Sequence, residues 1–390
     1  MNSTDPEPTP EAAEDCGLYA HIPWCVVRCA YCDFYSQVGG EENSPRYLDA
    51  LARDVRSFPD RTGYRPAVAT IFLGGGTPSM ADPEAIARLL DAIRAAFPVR
   101  EGCETTIEAN PESLDEEKVD LWASAGINRI SLGVQSLRDR HLSALGRPHD
   151  AARALAALAC ARRGPVATLS ADFIYGLPGQ SAREWREDLA RIADLGVDHI
   201  SAYLLETEKD TPLARRMAAG NVPEPDPGEV ADQWEATGVA LEAAGYRRYE
   251  ISNFARPGKE CRHNLVYWTD RPFLGFGASS HGYWRGRRTA VTLSALDYIA
   301  TVERGEETMG EIEAWDPDRR LAEAIVTGLR LTDGCDFTVL SRRYGRDLFT
   351  LHRRALADEA GLGRLVIEGS RVRLSPTGML FSNDVLCRFV

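Results

Sequence analysis

Three cysteines in one short segment are the residues of this sequence best suited to chemistry. Cys25, Cys29 and Cys32 stand in HIPWCVVRCAYCDFYS with the spacing C-x3-C-x2-C. Soft thiolates at such spacing suit zinc or iron–sulfur clusters. A structural zinc site normally closes with four ligands in two pairs, and the sequence contains neither a second Cys-x2-Cys pair nor a His pair.

The missing fourth ligand has a chemical meaning. A [4Fe–4S] cluster has four irons, so three thiolates leave one iron without a protein ligand. An open iron can bind a small molecule through its amine and carboxylate. The spacing therefore predicts a [4Fe–4S] cluster with one free coordination site. Isolated cysteines are more often core residues, and we interpret Cys103, Cys160, Cys335 and Cys387 in that way.

The elements that position this segment alternate between strands and helices from about residue 17 to 205. Short apolar or β-branched runs predict six strands, and the stretches between them have helical periodicity. The strand segments are GLYAHIP, VATIFLGGG, ETTIEAN, NRISLGV, TLSADFIYG and DHISAYLL. Such βα units predict an α/β fold with a parallel sheet, either a partial barrel or an open doubly wound sheet.

Residues suited to binding lie at the ends of these predicted strands. Cys25 follows the first strand, the Gly-rich run 74–77 follows the second, and Glu108, Gln135 and Asp172 lie at or near the ends of later ones. Barrels and doubly wound sheets build their sites at the carboxyl ends of their strands. Each feature alone is weak, because GGGT suits a tight turn and a lone polar residue is usually solvated. Their coincidence predicts one shared site.

Here the sequence resembles the radical S-adenosylmethionine (SAM) superfamily. Within it, YAHIPWC, LGGGTPS, IEANPE, ISLGVQS, LGRPH and DFIYGLPGQ are similar to the oxygen-independent coproporphyrinogen III oxidase branch. The resemblance covers nearly the whole chain after the first 16 residues. It implies a partial (β/α)6 barrel, a [4Fe–4S] cluster whose open iron chelates SAM, and an electron donor.

The same resemblance implies a role for particular residues. Tyr19 and Tyr31 would flank the cluster and SAM. Backbone groups of glycines can approach a ligand closely, and carboxylates can accept from an ammonium or from ribose hydroxyls. The implied SAM pocket consists of Gly75, Gly76, Thr77, Glu108, Gln135, Arg147 and Asp172.

Two features differ from the oxidases and resemble the related HemW-type heme chaperones. The oxidases typically carry a fourth cysteine, C-x3-C-x2-C-x-C, where this chain has Phe34. HNLVYW, residues 263–268, matches the H-N-x-x-Y-W pattern of the chaperones, in which a neutral imidazole such as His263 can ligate heme iron. Alternatively, His263 caps a loop and the two aromatic residues fill an interface. His281 is a second candidate ligand.

The rest of the chain predicts further regions. Residues 1–16 predict a disordered acidic tail, 17–222 the barrel, 223–315 a linking region with the HNxxYW motif, and 316–390 a winged-helix-like domain. Ser113–Glu116 predicts a helix capping box. The N-terminus has no basic residue and the chain no long apolar run, which predicts a cytoplasmic protein without a membrane anchor. A net charge of −13 argues against nucleic-acid binding.

Three functions remain open at this point. The resemblance implies a chaperone that transfers heme to client hemoproteins, including respiratory ones. The first alternative is an oxidase that decarboxylates two propionates of coproporphyrinogen III. The other is a radical SAM enzyme acting on another substrate. Phe34 and HNLVYW favour the chaperone, and Phe34 places oxidase turnover in doubt.

Overall fold

The computed structural model of the chain describes residues 15–311 and 316–390. The predicted tail therefore lies outside the described residues, except for Asp15 and Cys16. Cys16 is already the first residue of a strand and is fully buried.

The strands of the described residues form one large sheet and two small ones. Their bounds are β1 Cys16–Ile22, β2 Trp24–Cys25, β3 Gln37–Val38, β4 Val68–Gly75, β5 Val99–Ala109, β6 Arg129–Gln135, β7 Thr168–Tyr175, β8 His199–Leu204, β9 Arg247–Arg248, β10 Asn253–Ala255, β11 Phe273–Phe276, β12 His281–Trp284, β13 Arg287–Ala290, β14 Gly310–Glu311, β15 Cys335–Asp336, β16 Leu365–Glu368 and β17 Arg371–Leu374.

The helices of the same residues are mostly amphipathic and bury one face. Their bounds are α1 Ser44–Thr62, α2 Pro83–Ala96, α3 Glu116–Ser124, α4 Asp139–Leu145, α5 Ala151–Arg163, α6 Ala182–Asp194, α7 Pro212–Ala218, α8 Pro227–Ala243, α9 Arg262–Trp268, α10 Ala295–Glu303, α11 Pro317–Leu329, α12 Phe337–Tyr344, α13 Leu348–Leu351, α14 Arg353–Gly361, α15 Pro376–Leu380 and α16 Ser382–Leu386.

The six predicted strands are present and run parallel in the order β1, β4, β5, β6, β7, β8. Their carboxyl ends therefore lie at one end of the sheet, which is where the predicted site residues stand. The predicted α/β fold with a partial barrel is confirmed.

Strands from residues 223–315 extend both edges of this sheet. β11 adds to β1 in parallel and continues into β12, β13 and β14, while β10 and β9 add to β8 in antiparallel orientation. This region therefore forms part of the barrel wall and is more than a link. β11 was not predicted from the sequence, because its four residues, FLGF, are too few to show a strand periodicity.

The inner face of the sheet is open. Strands in the middle of a sheet are usually buried, but alternate residues of these strands are partly exposed on the inner face. They include Tyr19, Phe72, Glu108 and Asp172. By contrast, their neighbours Leu18, Ile71, Ile107 and Ala171 on the outer face are fully or almost fully buried under the helices. The barrel thus encloses space for a ligand.

Residues 316–390 have their own core. Helices α11, α12 and α14 pack with the small sheet β15–β17–β16, which agrees with the predicted winged-helix-like pattern. The prediction that four isolated cysteines are core residues holds for Cys103 but is wrong for Cys387, which is exposed near the chain end; Cys160 and Cys335 are half-buried.

One predicted cap is also wrong. Asp115, not Ser113, caps α3 by accepting from the Lys118 amide, because the Ser113 hydroxyl instead lies 2.5 Å from that of Ser79. Among residues 15–311 and 316–390, we find no helix with the length and apolar character needed to cross a bilayer.

Candidate cofactor site in the barrel

The loop that carries the three cysteines follows β1 and is held by the barrel. Cys25 lies in β2, which pairs with β3. The Ala30 amide donates to the Leu145 carbonyl at 2.9 Å, and the Leu213 amide donates to the Ala30 carbonyl at 2.8 Å. Backbone bonds from two other parts of the barrel therefore fix the loop between Cys29 and Cys32.

Two of the sulfur atoms accept hydrogen bonds from side chains. Thr77 Oγ1 lies 3.4 Å from Cys25 Sγ, and Arg147 Nη1 lies 3.5 Å from Cys29 Sγ. Burial raises the pKa of both Cys25 and Cys32, and the Thr77 hydroxyl and the Phe34 amide respectively oppose this rise. These donors favour the thiolate that a metal ligand must become.

The three cysteines are the candidate ligands for the predicted cluster. Within the part of the chain that the structure describes, no three His, Cys, Asp or Glu side chains come together closely enough to hold a single metal ion. Three thiols with hydrogen-bond donors, spread over one loop, suit a cluster better, because each thiolate then binds a different iron. The donor set therefore fits the predicted [4Fe–4S] cluster.

The Gly-rich turn after β4 packs tightly against the end of β1. A Cβ on Gly75, whose φ is +116°, would lie 2.6 Å from the His21 ring, and one on Gly76 would lie 2.5 Å from the Pro23 carbonyl group. The Gly76 amide donates to the Ile22 carbonyl and the Thr77 amide to the Trp24 carbonyl. The glycines thus bring two strand ends together beside the cysteine loop.

Glu108 faces the same turn from β5. Its Oε2 accepts from the Gly75 amide at 3.0 Å. Burial raises the pKa of Glu108 to about 7, the Gly75 amide opposes this, and the charge of Asp172 adds to it. A carboxylate with so high a pKa in an open cavity is a candidate for binding a cation.

Asp172 on β7 is enclosed by serine hydroxyls. Ser201 donates to it at 2.7 Å and Ser131 at 3.0 Å, with Ser170 farther away at 3.4 Å. Burial raises the pKa of Asp172, and these hydroxyl donors oppose the rise. The serines therefore hold the carboxylate in place within the barrel.

Gln135 ends β6 in an unusual backbone conformation. Its φ is +66°, and the pairing of β6 with β7 shifts register between Gly133 and Gln135. Such a bulge redirects a side chain, and positive φ in a residue other than glycine is characteristic of functional sites. This feature cannot be read from the sequence.

The predicted aromatic residues flank the cavity. The hydroxyl of Tyr19 lies 3.0 Å from His21 Nδ1, and its ring stacks against Phe72. Tyr31 packs against the apolar cluster around Leu145 beside the cysteine loop, and burial raises its pKa.

Arg147 connects several of these groups. Besides Cys29, it donates through Nη2 to Asn110 Oδ1 at 2.6 Å and to the Gly133 carbonyl at 3.0 Å. Its Nε is buried without a hydrogen-bond partner among the described residues. The structure thus brings the predicted residues of the barrel end together and adds Asn110, which our motif-based prediction missed although it lies in IEANPE.

His263 lies on the floor of the barrel, away from this end. Its Nδ1 is 2.8 Å from Thr70 Oγ1 and its Nε2 is 2.8 Å from the Tyr267 hydroxyl, while its ring stacks on Phe72. Thr70 precedes Gly75 by five positions on β4, which is about 16 Å along a strand. Burial lowers the pKa of His263 to about 3, so the imidazole is neutral.

Glu104 positions the helix that carries His263, and sequence reasoning missed it. Its carboxylate accepts from the amides of Arg262 at 3.1 Å and His263 at 2.9 Å, at the start of α9. The Cys261 side chain that precedes the helix makes no capping bond. A glutamate on β5 therefore supplies the cap for α9.

His281 differs from His263 in exposure and position. It is exposed at the start of β12, close to His21. Burial lowers the pKa of His21 to about 4, the Tyr35 carbonyl opposes this, and the charge of His281 adds to the lowering. His281 therefore lies near the carboxyl end of β1, on the same side as the cysteine loop.

Comparison with known proteins agrees with this architecture. Residues 19–192 match the model of the radical SAM superfamily, and residues 315–381 match the HemN C-terminal domain. The structure of coproporphyrinogen III oxidase (HemN) from Escherichia coli aligns with a TM-score of 0.84, at 23% identity, and covers 97% of this chain and 91% of that one. That likeness concerns the fold.

Relatives of higher identity carry another name. The chain is 34% identical to the heme chaperone HemW of Bacillus subtilis, over 95% of this chain and 98% of the relative. It is 35% identical to the mitochondrial radical S-adenosyl methionine domain-containing protein 1 of Mus musculus, over 84% of this chain and 71% of that one.

The fold and the cysteine loop define a radical SAM protein with a HemN-type C-terminal domain. Within that class, the chain belongs to the HemW family of heme chaperones. The family predicted from the sequence is thus confirmed. Membership of the superfamily implies a [4Fe–4S] cluster and SAM, in agreement with the predicted cofactors.

Proposed function

We propose that the barrel, residues 17–222, holds a [4Fe–4S] cluster through Cys25, Cys29 and Cys32. The support is the donor set, in which side-chain hydroxyl and guanidinium groups point at two of the sulfurs. When bound, such a cluster and SAM would supply one-electron chemistry, with electrons from a separate donor.

SAM would occupy the open interior beside this loop. The amides of Gly75 and Gly76 donate within the protein, so any backbone contact of these glycines with the SAM ammonium group would use their carbonyl oxygens. Glu108 adds an acceptor. The Nε of Arg147, which has no hydrogen-bond partner among the described residues, could donate to the SAM carboxylate. Gln135, whose backbone bulge changes the direction of its side chain, would be another polar group of the pocket. Thr77 and Asp172 complete the pocket, with Tyr19 and Tyr31 at its sides.

The whole chain would act in the cytoplasm as a heme chaperone, which binds heme and transfers it to hemoprotein clients, including respiratory ones. The observation that carries this proposal is similarity to HemW proteins over nearly the full length. Phe34 supports it, because an oxidase of this branch typically has a cysteine at that position. Decarboxylation of coproporphyrinogen is the alternative that this residue disfavours.

Either of two histidines could ligate the heme iron. His263 is neutral, as ligation requires, but both of its ring nitrogens have partners, so ligation requires displacing Tyr267 or Thr70. His281 is exposed, and no side-chain hydrogen bond engages it among the described residues. We propose His263 as the ligand because it belongs to the HNxxYW motif, and we test His281 in parallel because it is more accessible.

The test is a heme titration of the reconstituted protein under anaerobic conditions, followed by Soret absorbance. His263→Ala and His281→Ala are compared with His352→Ala, which removes a half-buried histidine of the C-terminal domain. Saturable binding in the wild type that weakens in one of the first two variants, but not in the third, identifies the ligand.

Other outcomes have separate meanings. Equal binding in all variants would reject both histidines as ligands and leave the chaperone proposal standing. No saturable binding in the wild type would reject the chaperone, and turnover of coproporphyrinogen with SAM and a reductant would then support the oxidase.

The cluster is tested independently of heme. Replacement of Cys25, Cys29 or Cys32 by Ala should abolish the visible absorbance of the cluster, whereas Cys160→Ala on α5 should not. Unchanged iron and sulfide content in the single variants would show that the cluster assignment is wrong.

A further inference from the structure

Asn110 lies between the donors of two cluster cysteines. It follows β5 directly. The side-chain amide of Asn110 accepts a hydrogen bond through its oxygen and donates one through its nitrogen. Oδ1 accepts from Arg147 Nη2 at 2.6 Å, and Nδ2 donates to Thr77 Oγ1 at 2.9 Å. Arg147 reaches the sulfur of Cys29 and Thr77 reaches that of Cys25.

The orientation of this amide is fixed by its neighbours. A guanidinium group has donors but no acceptor, so the Asn110 atom facing Arg147 must be the oxygen. The nitrogen therefore faces Thr77. Since the Thr77 oxygen accepts from that nitrogen, its single hydroxyl proton remains for another acceptor, and Cys25 Sγ lies 3.4 Å away.

The surroundings hold Asn110 in this position. Its backbone amide donates to Ser79 Oγ at 3.2 Å. A Cβ on Gly133 of β6 would lie 2.8 Å from Asn110 Oδ1 and 2.9 Å from Gln135 Nε2, so a larger residue at this position would displace the Asn110 amide. The Thr77 amide in turn donates to the Trp24 carbonyl at 2.7 Å, which fixes the Thr77 backbone beside the cysteine loop.

We propose that Asn110 is a positioning residue, which directs the Thr77 hydroxyl toward Cys25 and anchors Arg147 beside Cys29. This inference rests on the proposed cluster. Hydrogen bonds to cluster sulfurs offset the added negative charge of the reduced form and raise the reduction potential. Asn110 therefore keeps the cluster easier to reduce without touching it.

Asn110→Asp tests this with almost no change of shape. The carboxylate still accepts from Arg147, but the atom facing Thr77 can no longer donate. The Thr77 hydroxyl then donates to the carboxylate instead of to Cys25. We expect the ratio of reduced to oxidised cluster at a fixed ambient potential to fall about tenfold, which corresponds to about 59 mV for one electron. The readout is a potentiometric titration without SAM, followed by EPR.

The added charge of Asp would lower the potential by itself, so a double-mutant cycle is needed. Thr77→Val removes the hydroxyl and should lower the potential alone, whereas Thr77→Ser keeps it and should not. In the Thr77→Val background, Asn110→Asp retains only its charge effect, so its shift should be smaller than in the wild type.

The outcomes separate this inference from the cluster proposal. Equal shifts in both backgrounds, or no shift at all, would overturn the role of Asn110. If Asn110→Asp does not retain a cluster, the comparison of Thr77→Val with Thr77→Ser decides, and equal potentials there would overturn it. A wild type that assembles no cluster would instead reject the proposed function itself.

Discussion

Glu108 makes the stability of the cofactor-free protein depend on pH in a direction opposite to that of most carboxylates. Burial raises its pKa from 4.5 to about 7, the Gly75 amide opposes this, and the charge of Asp172 adds to it. The folded chain therefore binds this proton more tightly than the unfolded chain does. Its contribution to stability is fully present below pH 4.5 and is lost as the pH rises to about 7.

The magnitude follows from the same values. Because each pKa unit corresponds to about 1.4 kcal/mol, a rise from 4.5 to about 7 corresponds to about 3 kcal/mol. Part of Glu108 faces the open interior of the barrel, which water can enter, so screening reduces this to about 2 kcal/mol. Glu108→Gln keeps the acceptor for the Gly75 amide and removes the titration.

Urea unfolding of the cofactor-free protein between pH 5 and 8 measures the effect. The difference in the free energy of unfolding, Glu108→Gln minus wild type, should grow by about 2 kcal/mol over this range. Glu112→Gln is the control: burial raises the pKa of Glu112, but the His149 hydrogen bond, a backbone hydrogen bond and the charges of Arg147 and His149 together lower it. The contribution of Glu112 is therefore lost only below pH 4.5, and the difference between Glu112→Gln and wild type should stay level between pH 5 and 8. Parallel pH curves for wild type and Glu108→Gln would refute the reasoning.

Two further predictions concern a buried ion pair and the Gly-rich turn. Arg320→Met removes the partner of Asp270 at 2.9 Å but leaves Arg343 at 3.4 Å and the Tyr344 hydroxyl at 2.6 Å. It should cost about 2 kcal/mol in urea unfolding, which is typical of losing a hydrogen bond to a charged group. Arg320→Lys, which keeps the charge, should cost less. Gly76→Ala pushes a Cβ to 2.5 Å from the Pro23 carbonyl group and should lower the iron content per chain after reconstitution. Gly361→Ala, where nothing lies within 4 Å, should leave that content unchanged.

The sequence predicted the barrel well because each of its strands is a complete pattern. The segments GLYAHIP and TLSADFIYG, for example, became β1 and β7 with nearly the predicted bounds. Site residues at the ends of such strands must lie together, since the strands are parallel. The clustering of Glu108, Asp172 and the cysteine loop at one end of the barrel follows from this.

What the sequence could not predict depends on contacts between distant segments. Glu104 and His263 are separated by more than a hundred and fifty positions along the chain, so no local pattern relates the helix to its cap. Asn110 was part of a recognised motif, but its two partners come from different loops. The αL conformation of Gln135 results from the register of two strands rather than from its residue type.

Phe34 illustrates how a residue can distinguish related proteins without altering the cluster site. Its backbone amide helps to stabilise the Cys32 thiolate, a contact that any residue other than proline at this position can make. The residue is 66% exposed. A cysteine here would keep the amide contact and place a thiol at the surface instead. Whether residue 34 is Phe or Cys therefore affects the chemistry of an exposed position beside the cysteine loop, whereas the proposed cluster would depend on Cys25, Cys29 and Cys32.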